Sequence, residues 1–424
     1  MLRFLSLCVV TACAVAVLHG QQPQPPDEAL LQRARALMQN AILIDGHNDY
    51  PWAVRENNPG RDLAPLDISK PQPSIMTDIA RLKAGGLKAQ FWSVYVPVEL
   101  QGQTAVTATL EEIDTVYRML AKYPETFELA RTPEDLERIV KQGKIASMIG
   151  MEGGHSIDNS LAALRMFYQL GARYMTLTHS SNTPWGDSAT DVPAHGGLAP
   201  FGEEVVREMN RLGMLVDLSH TSPDTMADAI RVSAAPVIFS HSDARALNDH
   251  PRNVPDDILR MLPQNGGVVM VTFVPGFLSP KVNAWNAAQS GEEARLKALY
   301  PYDPDKVKAG VDAWTKANPA PRATVADVAD HIDHIKQVAG IDHIGIGSDF
   351  DGITQVPLGL EDVSKYPAVT AELLRRGYSE ADVRKILGEN LLRAWRQAEQ
   401  VAKRLQAERG PSTAVFDAKT GSSQ

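Results

Sequence analysis

The feature that most narrows the fold is a rhythm of short apolar runs. Eight recur along the chain: AILIDGH (41–47), AQFWSVYV (89–96), IASMIGME (145–152), RYMTLTH (173–179), GMLVDLSH (213–220), PVIFSH (236–241), GVVMVTFV (267–274) and HIGIGSD (343–349). Most are apolar almost to their last residues, as strands buried on both faces of a parallel sheet must be. Between them lie amphipathic helical patterns such as SLAALRMFYQLGA, FGEEVVREMNRLG and TVADVADHIDHIKQVAG, several of them stopped by glycine. Eight strands alternating with helices in one 424-residue chain predict a (β/α)₈ TIM-type barrel. A doubly wound open sheet is the competing architecture.

The interval after strand seven, 275–322, is long and holds YPYDP with several further prolines and charges. An insertion of this size on a barrel reads as a lid or an interface element. The ends read differently from the middle. Met1 to Gly20 carries an early Arg3, an apolar run from Phe4 to Leu18 and a polar break at Gln21. That is the pattern of a secretory signal, too short for a comfortable membrane span. Cleavage near Gly20 would deliver a secreted or periplasmic protein. The alternative is a lipoprotein anchored at Cys13, because VTAC (10–13) resembles a lipobox; the apolar AVAVLHG that follows argues against it. The organisation is then signal 1–20, linker and N-terminal helix 21–40, barrel 41–400, and helix end with disordered tail 401–424.

Cys8 and Cys13 are the only cysteines, and both fall in the signal. A chain cleaved near Gly20 has no disulfide, no thiolate nucleophile and no cysteine-bound zinc. The 42 basic against 51 acidic side chains, net −9, disfavour nucleic acid as a partner.

Polar residues gather at the ends of the runs. The first ends in His47 and Asp49, the third in Glu152, the fourth in His179, the fifth in His220, the sixth in His241 and the eighth in Asp349. On a barrel these ends share the C-terminal face, where active sites lie. Only 11 histidines exist in the chain. A core position would explain any one of these four, but poorly explains all four at one edge. His47, Asp49, Glu152, His220 and His241 form a zinc-type donor set without thiolate. Five donors suit two ions better than one, with Glu152 as the bridge. Manganese or cobalt would accept the same donors.

At these residues the chain resembles a known family. DGHNDYPW, GMEGGHSIDNSLAALRMFYQLGARYMTLTHSSNTPWGDS, LGMLVDLSHTS, APVIFSHSDAR, RNVPDD, IGIGSDFDG and GLEDVSKYP are similar to the membrane (renal) dipeptidase family of zinc peptidases, among the metal-dependent amidohydrolases. The resemblance runs from about residue 40 to about 400 and keeps the order of the motifs. It implies two Zn²⁺ per chain, His47 and Asp49 on one, His220 and His241 on the other, and Glu152 between them. It further implies that His179 stabilises the oxyanion, that Asp349 handles the proton of the attacking water, and that Arg252 binds the substrate carboxylate. Dipeptides are the implied substrates, cleaved by a metal-bridging hydroxide, and a homodimer is the implied assembly. The chain departs from mammalian members in lacking their cysteines and C-terminal anchor signal, and in carrying Phe277 where their pattern has tyrosine.

Two other functions compete: an amidohydrolase acting on N-acyl-amino acids or β-lactams, and a metal-binding receptor without catalysis. A pure binder would need neither Asp349 nor His179. His331 and His334 are expected on the outer helix before strand eight, His155 behind Glu152, and His195 and His250 on solvated loops. GIGSDF lacks the third glycine of a dinucleotide loop, and GHSID the closing glycine of a nucleophile elbow.

Overall fold

A computed structural model describes residues 27–58, 60–417 and 422–423. The expected signal, Cys13 and most of the proline-rich linker lie outside the described residues. Among the described residues the main sheet has nine strands in chain order, besides a small pair formed by Phe416–Asp417 and Ser422–Ser423: β1 (Leu43–Asn48), β2 (Leu87–Tyr95), β3 (Phe127–Leu129), β4 (Ile145–Glu152), β5 (Ala172–Thr176), β6 (Leu215–Asp217), β7 (Ile238–Phe239), β8 (Val268–Val271) and β9 (Ile344–Ile346). Eight of them close into a parallel barrel. β1 pairs with β2, β2 with β4, each later strand with the next, and β9 returns to β1. The open-sheet alternative is excluded by that closure.

β3 was not visible as an apolar run. Its three residues pair with Ile145, Ala146 and Ser147 at the start of β4, whereas β5 joins β4 only from Ile149. It therefore fills the wedge left between two strands of unequal length. β4 coincides with its apolar run, β2 spans Leu87–Tyr95 against the run 89–96, and the others are shorter than theirs: β6 keeps three residues of 213–220 and β7 two of 236–241.

Size alternation packs the barrel interior. A Cβ on Gly150 would stand 2.0 Å from the Tyr174 ring, and one on Gly46 2.0 Å from Met270 Cε. Glycine at these two positions is what admits the two long side chains. Phe91 packs on Tyr174 at 4.9 Å and on Trp395 at 6.2 Å between ring centroids. Trp395 belongs to the helix Asn390–Glu408, which joins the same interior cluster. A larger apolar layer lies between the barrel and its outer helices. The N-terminal helix Glu28–Asn40 is capped by Asp27 and buries Ala34, Leu37 and Met38.

The interval 275–322 folds as a short turn, Pro275–Leu278, and two longer helices, Pro280–Leu299 and Pro304–Ala317, each with proline in its first turn. The longer pair touches through Trp285 and Trp314, 5.6 Å apart, and buries only Val282, Leu296 and Val307. The segment 411–417, expected in the disordered tail, lies against the helix Pro200–Leu212. Phe416 packs on Phe201 at 5.4 Å, and Ser412 bonds to Glu204 and Glu208. Among the described residues no helix is long and apolar enough to cross a membrane.

Candidate active site

Each site residue read from the strand ends stands at or just past the C-terminal end of its strand. His47 lies within β1, and Asp49 follows it. Glu152 closes β4. His179, His220, His241 and Asp349 lie on the loops that leave β5, β6, β7 and β9. Short strands have a local cause here, because the backbone turns sharply to aim these side chains inward. His220 and Asp349 have φ of +67° and +66°. A non-glycine residue there costs roughly 1–2 kcal/mol, and such strain collects at functional sites. It is held by bonds: the His220 carbonyl accepts from Ala189 N at 2.7 Å and Thr178 Oγ1 at 3.2 Å, and Asp349 N donates to the His47 carbonyl at 3.1 Å.

Glu152 is the hub. Its Oε2 lies 3.3 Å from His47 Nε2. Its Oε1 faces the other side, 3.0 Å from His220 Nε2 and 3.6 Å from both His241 Nε2 and His179 Nε2. His47 Nε2 is also 3.3 Å from Asp49 Oδ2 and 4.0 Å from Asp349 Oδ1. Three overlapping groups have ligand atoms within 4.8 Å of one another: His47, Glu152 and His241; Glu152, His179 and His220; His47, Asp49 and Asp349. The structure thus brings together all seven polar residues read from the strand ends.

The donor set suits divalent metal. Asp49, Glu152 and Asp349 converge in a buried volume, and Arg252 lies at its edge. Burial, reinforced by the neighbouring Asp49, pushes the Asp349 carboxyl well above its ordinary range. His220 and His241 are held well below the ordinary imidazole range, by burial first, then by Arg252 for His220 and by His47 for His241. They are therefore neutral, the form that ligates metal. His47 Nε2 is buried and makes no hydrogen bond.

Surrounding hydroxyls set the tautomers, which the sequence did not reveal. The Ser240 hydroxyl donates to Asp217 Oδ2 at 2.6 Å and lies 2.8 Å from His241 Nδ1. With its one proton committed, Ser240 can only accept from His241, so Nδ1 carries the hydrogen and Nε2 keeps its lone pair. The same logic applies at Tyr174, which donates to the Gly46 carbonyl at 3.2 Å and sits 3.0 Å from His47 Nδ1. Ser93 on β2 donates to Glu152 Oε2 at 3.0 Å. The signal that could have found these residues is a hydroxyl within a run that is otherwise mostly apolar.

Arg252 comes to the same site. It is 4% exposed, and its Nη2 lies 2.8 Å from His241 Nε2. Its Nη1 is buried without a partner, as expected of a group kept for a ligand. Tyr95, at the end of β2, lines the opposite wall 4.8 Å from the His179 ring, with Trp52 edge-on to it at 4.9 Å.

The other described histidines stay outside the cluster. His331 and His334 are on the helix Val325–Val338: His331 bonds to Ala244 N and the Leu278 carbonyl, and His334 pairs with Asp256. His155 bonds to the Val96 carbonyl at 3.1 Å and so braces the end of β2, not Glu152. His195 reaches the Thr183 carbonyl at 3.1 Å. His250, expected on a solvated loop, is half-buried there: its ring lies 4.4 Å from that of Phe277, and burial lowers its pKa to about 4.

A closed (β/α)₈ barrel with histidines and carboxylates converging on its C-terminal face is the scaffold of a metal-dependent amidohydrolase. The chain belongs to the membrane dipeptidase family, peptidase family M19, a model of which matches residues 31–409. It is similar to solved structures along nearly their whole lengths. The probable dipeptidase PvdM from Pseudomonas aeruginosa is 27% identical, with a TM-score of 0.76 over 88% of this chain and 100% of that one. A metallopeptidase from Rhodobacter sphaeroides, liganded with a phosphinate mimic of the dipeptide L-Ala-D-Ala, is 26% identical, with a TM-score of 0.70 over 84% of this chain and 99% of that one. An amidohydrolase from Pseudomonas aeruginosa is 25% identical, with a TM-score of 0.66 over 86% and 98%. The protein is a metallo-dipeptidase, a hydrolase acting on peptide bonds.

Proposed function

We propose that the chain is a binuclear zinc dipeptidase in which Glu152 bridges the two ions. His47 and Asp49 would hold one ion, and His220 and His241 the other. The observation that carries this reading is the division of the Glu152 carboxylate, one oxygen toward His47 and the other toward His220 and His241. A zinc pair supplies a nucleophile from water at neutral pH and polarises the scissile carbonyl.

The protein side chains then have separate tasks. Asp349, at the edge of the His47 and Asp49 group, takes a proton from the attacking water and passes it to the leaving amine. His179, 3.6 Å from Glu152, donates a hydrogen bond to the oxygen that gains charge in the transition state. Arg252 binds the substrate's free carboxylate through its unpartnered Nη1, and so limits substrates to two residues. A dipeptide mimic bound to the Rhodobacter sphaeroides relative supports dipeptides as the substrate class. The N-terminal signal read from the sequence would place the enzyme outside the cytoplasm.

The test is metal analysis of the purified protein together with hydrolysis of dipeptides, tripeptides and C-terminal amides. Two zinc ions per chain, loss of activity on chelation and preference for free dipeptides are expected. One ion in the fully active enzyme would remove the bridging role of Glu152. Absence of turnover on every dipeptide at full metal occupancy would overturn the assignment.

A further inference from the structure

We infer that Phe277 is the positioning residue for Arg252, its ring holding the guanidinium in the orientation that receives a free C-terminal carboxylate. This rests on the assignment of Arg252 as the carboxylate anchor. Among the described residues no carboxylate lies within 4.0 Å of the Arg252 guanidinium to clamp it from behind. What does touch it is His241 Nε2, 2.8 Å from Nη2, and the Phe277 ring, whose centroid is 5.2 Å from Cζ. That spacing falls within the range of a cation–π contact, which gains strength where water is excluded. Arg252 is buried, so the contact is of the stronger kind.

Phe277 is itself fixed to the loop that carries the arginine. Its carbonyl accepts from Asn248 Nδ2 and from Asn253 Nδ2, each at 2.9 Å. Asn248 Nδ2 also donates to the Gly276 carbonyl at 2.8 Å. The His250 ring lies 4.4 Å from the Phe277 ring, and His250 Nδ1 accepts from Arg252 N at 3.2 Å. Residues 248–253 and the turn Pro275–Leu278 therefore form one unit. Further along, Asn283 Nδ2 donates to Asn248 Oδ1 at 3.2 Å, so the first long helix of the 275–322 interval is rooted in the same unit. Phenylalanine brings a ring without a hydroxyl. It can orient the guanidinium but cannot itself hydrogen-bond the carboxylate.

The experiment measures kcat and KM for L-Ala-L-Ala and its C-terminal amide in the zinc-loaded parent, Phe277→Leu, Phe277→Tyr and Arg252→Ala. Phe277→Leu should raise KM for the free dipeptide by about 3- to 30-fold, the span of a cation–π contact. The ratio of kcat/KM for dipeptide over amide should fall by the same factor. Phe277→Tyr, which keeps the ring, should restore the ratio. If Phe277→Leu does not fold, Phe277→Met serves as the ring-free variant. An unchanged ratio in a folded ring-free variant, or equal losses on both substrates, would overturn the positioning role. Arg252→Ala separates the two ideas. If it erases the preference for the free dipeptide while Phe277→Leu does not, only the role of Phe277 falls. If the parent shows no preference, or Arg252→Ala leaves it intact, the carboxylate anchor falls and takes the inference with it.

Discussion

Gly352 offers the sharpest test of how closely the site is packed. It lies in the loop after β9, where Gly352 N donates to the Asp349 carbonyl at 3.2 Å. A Cβ there would stand 2.3 Å from Asp49 Oδ2 and 2.5 Å from Asp349 Oδ1. Ordinary contact begins near 3.4 Å, so Gly352→Ala requires both carboxylates to retreat, or the loop to lift, by about 1 Å. Backbone conformation is not the obstacle, since Gly352 is not among the glycines of positive φ. A displacement of this size at reacting groups can cost on the order of 10²-fold in rate. Disturbance around a metal site typically costs about 10- to 100-fold in affinity. The assays are zinc affinity by competition with a chelator and kcat/KM on a dipeptide, with melting of the metal-free protein as the check on folding. Both affinity and kcat/KM should fall, with the melt little changed. Gly291→Ala is the control: outside its own helix backbone no heavy atom lies within 4 Å of its Cβ, and it occupies an exposed position of the helix Pro280–Leu299. It should keep parental activity and add roughly 0.5–1 kcal/mol of stability. A folded Gly352→Ala enzyme with parental zinc affinity and parental kcat would show that the loop yields freely, and the claim of close packing against Asp49 and Asp349 would be refuted.

Two further outcomes are expected. Asp349→Asn keeps the shape of the side chain and removes the base, so kcat should drop by about 10²–10⁴ with KM little moved; near-parental kcat at intact metal content would assign the proton transfer elsewhere. Glu112, buried in the helix Gln103–Lys122 with Oε1 on Arg55 and Oε2 unpartnered, has its carboxyl pushed up to about 7 by burial. Between the ordinary value of 4.5 and 7 the folded state binds the proton that the unfolded state releases, so stability falls as pH rises through that window. Glu112→Gln removes this penalty. Denaturant melts should show the variant equal to the parent below pH 4.5 and more stable by about 3 kcal/mol above pH 7; a difference that does not vary with pH would refute the assignment.

The fold was legible because strands buried on both faces cannot hide their composition. A run such as IASMIGME has no polar face to lose, and it matched β4 residue for residue. What composition could not show is where pairing stops. The run GMLVDLSH continues past Asp217, but the chain leaves the ladder there and reaches His220 through a positive φ that no glycine announces. β3 was hidden for a different reason: three residues that fill a wedge have no period to detect. The half-burial of His250 was not legible because the ring against it, Phe277, comes from the next strand's loop, and the pairing of β7 with β8 brings the two loops side by side.

The site residues were legible by position, since a histidine or acid at the end of an apolar run is rare enough to count. Two buried acids within the runs were passed over, and they reveal a rule the strand ends share. Asp45, two residues before His47, accepts from Ser348 N at 2.7 Å, Ser348 Oγ at 2.6 Å and the Tyr366 hydroxyl at 2.6 Å. Asp217, three before His220, accepts from Ser240 N at 2.8 Å, Ser240 Oγ at 2.6 Å and Thr176 Oγ1 at 2.6 Å. In both cases the serine directly precedes another site residue, Asp349 in one and His241 in the other. Each aspartate thus ties the end of its own strand to a strand end that carries a different member of the cluster. A carboxylate fully out of water is costly unless its lone pairs are filled, and here they are filled by the backbone and hydroxyl groups that must not move. The pattern acid, then histidine on one strand, and serine, then histidine or acid on another, is therefore the sequence mark of two rim loops locked together. It can be read without a structure once the strand ends are known.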